Sequence, residues 1–349
     1  MKIGINTRLL QEKYHTGVQN YIKNLYEAVD RLDNYNQYFY LKPSLNQNVI
    51  SKVAYDNYFI KTEIREKGLN LFHGPASVLP IGKKTCPQIV TIHDLWFKII
   101  PEIGRNIDRL YYNFAFNNLL KTADLVIADS EAVAQEIKKY SKLPDSKIKT
   151  ILLGIDPLYF EKENPEYLNQ IKKKYGLDSK KIILTNSVHS RRKNLPLLIK
   201  AFTNIQASFK DAVLVIYGAI DKSRLVIKSS RSILVLGYLD QKESRALYQL
   251  SDIFIYPSLY EGFGLPILEA MASNCLVLAS KIPSLEEIVT DQSLLFNPAS
   301  PDQISERIEY YLKINDGEKQ AVLNTFPKIL ENYSWEKTAR KMINIFNSF

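Results

Sequence analysis

The sequence predicts an α/β protein built from two doubly wound domains. The chain has 349 residues, of which 46% are hydrophobic and 24% charged, a size and composition suited to about two domains with a core each. Short apolar runs alternate with helical stretches, and the alternation restarts after a polar stretch, 156–180. Repeated βα units form parallel sheets with helices on both faces. We therefore expect one domain over 1–165 and a second over 166–334.

The predicted elements follow this alternation in order. Parallel strands are buried on both faces, so they are expected as short, apolar, β-branched runs. In the first half these runs are Lys2–Asn6, Gln37–Leu41, Leu69–His73, Gln88–His93, Leu125–Asp129 and Ile148–Leu152. The helices between them are Val18–Leu32, Ile107–Thr122 and Glu131–Tyr140. The second-half strands are Lys181–Thr185, Ala212–Tyr217, Ile233–Leu236, Ile253–Tyr256, Leu276–Ala279 and Leu294–Phe296. The second-half helices are Leu195–Phe209, Glu243–Leu250, Ile267–Ser273 and Ser305–Leu312.

Composition and charge exclude several classes of protein. Cys86 and Cys275 stand too far apart for a disulfide framework or a cysteine metal cluster. The first residues lack the apolar region of a signal peptide, and the longest apolar run is about half of what spans a bilayer, so we expect a cytoplasmic protein. The net charge of +9 suits a phosphorylated substrate or an anionic membrane face, unless it serves solubility alone. No nucleic-acid-binding signature is present, so no such partner is expected.

The segment Pro257–Ala272 carries the strongest chemical signal. It follows a predicted strand, and its two glycines, Gly262 and Gly264, allow backbone amides to approach a ligand at a helix start that favours negative charge. Glu261 lies in the loop and Glu269 in the helix, eight positions later. A carboxylate can accept from two neighbouring sugar hydroxyls. The pattern indicates a ligand with both hydroxyls and phosphate, such as a sugar nucleotide; the alternative is a turn followed by a capped helix.

Three further loops lie where strands end or helices begin. The basic run Arg191–Asn194 follows a strand and offers charge to a diphosphate, or is a solvated loop. Gly17 opens a helix, so its amide could meet a phosphate oxygen. His93 ends a strand and is a candidate to contact the reacting sugar, or a histidine bonded to backbone. Ligands of open parallel sheets bind beyond the carboxyl ends of the strands, so these loops should line a cleft between the domains.

Several signatures are missing from the sequence. It contains no D-x-D pair and no His, Asp and Glu residues at metal-ligand spacing, so no metal site is expected. It contains no G-x-G-x-x-G after the first strand and no P-loop, which argues against a dinucleotide site and a nucleotide hydrolase.

These segments together resemble the retaining glycosyltransferases of family 4 (glycosyl transferases group 1), which have the GT-B fold, over nearly the whole chain. The anchors are Glu261–Glu269, Arg191–Asn194, His93–Leu95 and Ser334–Glu336. The resemblance implies two Rossmann-like domains facing across a cleft, with the C-terminal helix, 335–349, crossing back to the first. The amino-acid sequences of the His93 and Arg191 segments resemble those of the mannosyltransferase-like branch that builds surface polysaccharides.

The resemblance also implies roles for individual residues. Residues implied in catalysis are His93, Glu261 and Lys193. Residues implied in binding the sugar donor are Gly17, Arg192, Lys193, Gly262, Phe263, Gly264, Leu265 and Glu269. Glu269 would accept from the ribose hydroxyls, Glu261 would hold the transferred sugar, and Lys193 would neutralise the departing diphosphate in place of a metal. His93 would stabilise positive charge at the anomeric carbon. Ser187 replaces an arginine that many family members carry, which removes one expected diphosphate contact.

The implied function is a metal-independent retaining hexosyltransferase without a cofactor. It would move a sugar, with mannose favoured, from a nucleotide sugar to a growing or lipid-linked glycan, with GDP-mannose favoured over a UDP-sugar. A 2-epimerase on the same fold would need more cleft carboxylates and histidines, and a non-catalytic binding subunit would be expected to have lost Glu261 or Lys193. The basic, aromatic stretch Arg105–Lys121 either rests on an acidic bilayer at the inner membrane face or packs in the core.

Overall fold

The computed structural model describes residues 1–12, 17–43, 49–104, 106–186, 191–218 and 229–349. The chain divides into two units, which are Met1–Gly154 with Tyr333–Phe349 (the first unit) and Ile155–Asn332 (the second unit). Each unit contains a parallel sheet with helices, so the predicted fold class is confirmed.

The boundary lies after Gly154 and not at the predicted residue 165, because the intervening segment bonds to the second unit. The Arg245 guanidinium pairs with Glu163, and Gln249 Nε2 donates to the Glu161 carbonyl at 2.7 Å.

The first unit contains a six-stranded parallel sheet of order β2-β1-β3-β4-β5-β6. Its strands are β1 (Lys2–Asn6), β2 (Gln37–Leu41), β3 (Leu71–Gly74), β4 (Gln88–Ile92), β5 (Leu125–Ala128) and β6 (Ile148–Thr150). Its helices are α1 (Gly17–Leu32), α2 (Val49–Ala54), α3 (Ile60–Glu66), α4 (Trp96–Ile99), α5 (Asn106–Thr122), α6 (Glu131–Ser141) and α15 (Trp335–Phe346). β3 begins two residues later than predicted, because the Leu69 amide still bonds to the Ile64 carbonyl at the end of α3.

The C-terminal helix α15 packs on α1 in this unit. Thr338 Oγ1 donates to the Leu152 carbonyl at 2.8 Å, which ties the helix to the segment after β6. A Cβ on Gly154 would lie 2.1 Å from the Trp335 amide nitrogen, so only glycine allows the helix to begin this close to the backbone.

The second unit contains a six-stranded parallel sheet of order β12-β11-β10-β7-β8-β9. Its strands are β7 (Lys181–Asn186), β8 (Ala212–Tyr217), β9 (Ile233–Gly237), β10 (Ile253–Tyr256), β11 (Leu276–Ser280) and β12 (Leu295–Phe296). Its helices are α7 (Pro165–Tyr175), α8 (Leu195–Ile205), α9 (Gln241–Leu250), α10 (Leu265–Ala272), α11 (Pro283–Glu286), α12 (Pro301–Lys313), α13 (Asp316–Leu323) and α14 (Phe326–Leu330). β10 lies between β11 and β7, so the loops that follow β10 and β7 meet at one edge of the sheet.

Helix α7 lies inside the stretch that the sequence analysis treats as a polar connection. Asn164 caps it by accepting from the Glu166 amide, Pro165 occupies its first turn and Gly176 ends it at φ +65°. These start and stop residues are a signal that the high polarity of the segment obscured.

Candidate active site

A buried ion pair joins the two strongest sequence motifs. Lys193 ends a 3₁₀ turn (Arg191–Lys193) after β7, and Glu261 lies in the loop after β10. The Lys193 ammonium donates to Glu261 Oε1 at 2.7 Å, and the two residues are only 6% and 8% exposed. Because β7 and β10 are neighbours in the sheet, residues 68 positions apart form one constellation.

Tyr256, the last residue of β10, completes this constellation, although the sequence marks it only as the end of a strand. Its hydroxyl accepts from Lys193 Nζ at 2.5 Å, and the ammonium lies 4.4 Å from the ring centroid. Burial by itself raises the pKa of Glu261, but the charges of Lys193 and Arg192 and the hydrogen bonds to the carboxylate hold that pKa below its usual value. Glu261 therefore stays charged at neutral pH.

Backbone contacts hold the two loops together. The Leu259 amide donates to the Arg192 carbonyl at 2.7 Å, and Ser284 Oγ donates to the Glu261 carbonyl at 2.6 Å. Gly264 has φ +128°, a conformation that L residues rarely adopt, and it precedes Leu265, the first residue of α10. The other two predicted residues of the loop, Gly262 and Phe263, are buried.

Glu269 has different surroundings from Glu261. It lies in α10, remains partly exposed, and its Oε2 accepts from the Tyr248 hydroxyl at 3.1 Å. Burial raises the pKa of its carboxyl to about 7, although hydrogen bonds from Tyr248 and Tyr159 oppose the shift. The two predicted carboxylates thus differ in charge state near neutral pH, one fully charged and one partly protonated.

His93 follows β4 in the first unit and has partners at both ring nitrogens. Nδ1 lies 2.5 Å from Asp129 Oδ2, and Nε2 lies 2.7 Å from the Pro75 carbonyl. A carbonyl and a carboxylate both accept, so the arrangement favours a ring that carries a proton on each nitrogen. Burial lowers the pKa of His93, but Asp129 and the Pro75 carbonyl raise it above its usual value. The edge of the Tyr21 ring packs on the imidazole, with centroids 4.9 Å apart.

The predicted residues fall on both units. Gly17 and His93 belong to the first unit, whereas Arg192, Lys193 and the segment from Glu261 to Glu269 belong to the second. Gly17 is the first residue of α1 and is exposed, with open space where a Cβ would stand. Ser187, the predicted departure from the family pattern, lies outside the described residues.

The described residues contain neither a metal-ligand cluster nor a membrane-spanning helix. No group of three or more His, Cys, Asp and Glu side chains in that part of the chain is placed to hold a metal ion. None of its helices is long and apolar enough to cross a membrane.

Two family models match the chain in succession. Residues 23–158 match "Glycosyltransferase Family 4", and residues 168–325 match "Glycosyl transferases group 1". The chain belongs to glycosyltransferase family 4. It is therefore a glycosyltransferase with the GT-B fold, and the predicted family is confirmed.

Named relatives and a solved structure agree with this assignment. The chain is 28% identical to O-antigen chain mannosyltransferase B of Escherichia coli over 79% of this chain and 74% of that protein. It is 27% identical to the serotype-specific mannosyltransferase WbdA of Escherichia coli over 78% of this chain, but it spans only 35% of WbdA. The fold matches that of Anabaena HepE in complex with UDP-glucose, with a TM-score of 0.77, 17% identity and full coverage of both chains.

Proposed function

We propose that this glycosyltransferase transfers mannose, with retention of configuration and without a metal ion, from GDP-mannose to a growing glycan in surface polysaccharide biosynthesis. The observation that carries the proposal is the buried Lys193–Glu261 pair, placed beside the helix that bears Glu269. A fixed cation beside a carboxylate can serve a diphosphate and a sugar at once.

The residues of the second unit would act mainly by positioning and by charge. Lys193, with Arg192, would stabilise the negative charge that develops on the departing diphosphate, the role that a metal ion has in other transferases. Glu261 would orient the sugar through its hydroxyls. In front-face displacement the bond from the anomeric carbon to the phosphate oxygen breaks, the acceptor oxygen bonds to that carbon on the same face, and the acceptor proton passes to the leaving phosphate. His93, held by Asp129, would add to the electrostatic environment of the anomeric carbon.

Mannose is proposed because both of the named relatives are mannosyltransferases. The structural neighbour was solved with UDP-glucose, and at 17% identity it supports the fold alone. The comparison between GDP-mannose and UDP-sugars is therefore the first measurement to make.

The test is thermal stabilisation of the protein by a panel of nucleotides and sugar nucleotides, with and without chelator, because ligands that bind only the folded form raise the melting temperature. We expect GDP and GDP-mannose to raise the melting temperature. A rise with UDP and a UDP-sugar instead would overturn the assignment of GDP-mannose as the sugar donor. Transfer to a glycan acceptor is then followed by NMR of the anomeric proton in excess chelator. Inverted configuration, or activity that returns only with magnesium, would overturn the retaining or metal-free mechanism.

We also propose that the first unit rests on the acidic inner face of a membrane that holds a lipid-linked acceptor. On α5, Ile107, Leu110 and Phe114 are 67%, 64% and 55% exposed, and their spacing places them on one face. The buried residues of α5 are others: Ala115, Phe116 and Leu119. The first unit carries 24 Lys and Arg residues against 16 Asp and Glu, so +8 of the net +9 lies there. An outward apolar stripe on a basic unit suits an anionic lipid surface.

Sedimentation with lipid vesicles tests this contact. We expect the protein to bind vesicles that contain phosphatidylglycerol, to bind neutral phosphatidylcholine vesicles weakly, and to lose binding on Leu110→Ser with Phe114→Ser. Tyr310→Ser is the matched control, because Tyr310 is 55% exposed on the second unit. Equal binding by the control and the double variant would contradict the proposed contact.

A further inference from the structure

A chain of two hydrogen bonds leads from the second sheet to Glu269. Tyr217, the last residue of β8, donates its hydroxyl proton to the Tyr248 hydroxyl on α9 at 2.8 Å. The Tyr248 hydroxyl donates in turn to Glu269 Oε2 at 3.1 Å. A phenol has a single proton, so accepting from Tyr217 leaves the proton of Tyr248 for the carboxylate.

The middle of this chain is rigidly packed. Tyr248 is fully buried, and three rings meet its ring edge to face: Tyr159 at 6.0 Å, Tyr217 at 6.1 Å and Phe254 at 5.1 Å between centroids. Such packing restricts the movement of the Tyr248 ring. The hydroxyl is therefore held in place as a donor, whereas Glu269, the residue that accepts from it, is partly exposed.

We infer that Tyr217 and Tyr248 are positioning residues, which orient the Glu269 carboxylate toward two ribose hydroxyls of the nucleotide. The inference rests on the proposed function, together with the ribose contact that the family resemblance implies for Glu269. A charged carboxylate can accept from both hydroxyls, and one fixed hydrogen bond to Oε2 limits the rotation of the group. Neither tyrosine needs to touch the nucleotide.

These two hydrogen bonds also affect the pH range over which the nucleotide binds. The ionisable groups around the carboxyl include Tyr159, Tyr217, Tyr248, Tyr256 and Asp156. Burial keeps the phenols protonated, so each of them can act as a donor. Burial raises the pKa of Glu269 to about 7, and the hydrogen bond from Tyr248 lowers it. Removing that bond moves the pKa up. As the pH is lowered, the variant therefore loses affinity for the nucleotide at a higher pH than the wild type does, because a protonated carboxyl is a weaker acceptor.

The experiment is calorimetric titration of the full chain with GDP and with UDP, from about pH 5.5 to about pH 8.5. For the nucleotide that binds, Tyr248→Phe should weaken binding at pH 7 about tenfold, because it removes a hydrogen bond to a charged group. Tyr217→Phe should weaken it about threefold, because the hydrogen bond that it removes is to a neutral group. The pH midpoint of binding should rise in the order wild type, Tyr217→Phe, Tyr248→Phe. In turnover, both variants should raise the KM for the sugar donor and leave kcat unchanged.

Tyr311→Phe is the matched control, because Tyr311 is buried in the same unit and its hydroxyl bonds to Ser293 at 2.8 Å. It should bind nucleotide with the wild-type midpoint. Melting temperatures of all variants establish whether they are folded. If Tyr248→Phe does not fold, Tyr217→Phe by itself tests the inference. Nucleotide binding with one midpoint in all variants would overturn the inference and leave the proposed function intact. Binding of no nucleotide by the wild type would overturn both.

Discussion

The Lys193–Glu261 pair is expected to stabilise the second unit as well as to serve the reaction. Its side chains are 7% and 8% exposed, so removing one partner leaves the other charge buried and uncompensated. Breaking a buried pair in this way costs about 3–5 kcal/mol. A domain has only about 5–15 kcal/mol of stability, so each single variant should lose a large share of it. Glu261→Gln and Lys193→Met keep the size of the side chain and remove the charge.

The double variant distinguishes a coupled pair from two separate losses. Replacing both charges removes the buried-charge penalty, so Lys193→Met with Glu261→Gln should be no less stable than either single variant. Additive losses of stability in the double variant would refute the reasoning. Acid should reproduce the effect of Glu261→Gln. The folded pKa of Glu261 lies below its usual value of 4.5, so the contribution is present above pH 4.5 and is lost as the pH falls through the folded pKa.

The assay uses the distribution of tryptophan in the chain. Both tryptophans, Trp96 and Trp335, belong to the first unit, whereas far-UV circular dichroism reports on both units. In urea, single variants of the pair should shift the circular dichroism transition by roughly 2 M and leave the tryptophan transition in place. A shift of the tryptophan transition alone would contradict the assignment of the pair to the second unit.

Three further predictions concern other positions. Asp129→Asn should lower the pKa of His93, so in NMR titration the ring should titrate at a lower pH than in the wild type, and an unchanged titration would contradict the contact. Because the folded pKa of wild-type His93 is raised, its contribution to stability is present below pH 6.5 and is lost as the pH rises through the folded pKa. Gly264→Ala should cost about 1–3 kcal/mol in urea unfolding, because φ is +128° and the new Cβ would lie 2.7 Å from Leu285 Cδ2. Gly17→Ala, which meets open space, should unfold within about 0.5 kcal/mol of wild type; a cost equal to that of Gly264→Ala would argue against strain as the cause.

The sequence by itself determined the fold class, most strands and the location of the motifs. Four strands have the predicted bounds. Two of them, β8 and β10, are buried along their whole length, and such a strand is a short apolar run that its flanking residues delimit. The segment from Glu261 to Glu269 was found because its glycines and carboxylates lie close together in the sequence. The helix α7 was missed because it is polar along most of its length, and only its capping residues mark it.

The tertiary structure decided which side chains support those motifs. Three supporting side chains look like ordinary strand and helix residues in the sequence. Tyr256 contacts Lys193, Tyr248 contacts Glu269, and Asp129 contacts His93. These contacts depend on which elements are neighbours. That β10 lies against β7 follows from the crossover of the chain and not from any run of residues. The pKa of Glu269, about 7, likewise arises from burial among side chains distant in the sequence. Long-range packing sets desolvation and hydrogen bonding, and no local pattern records it.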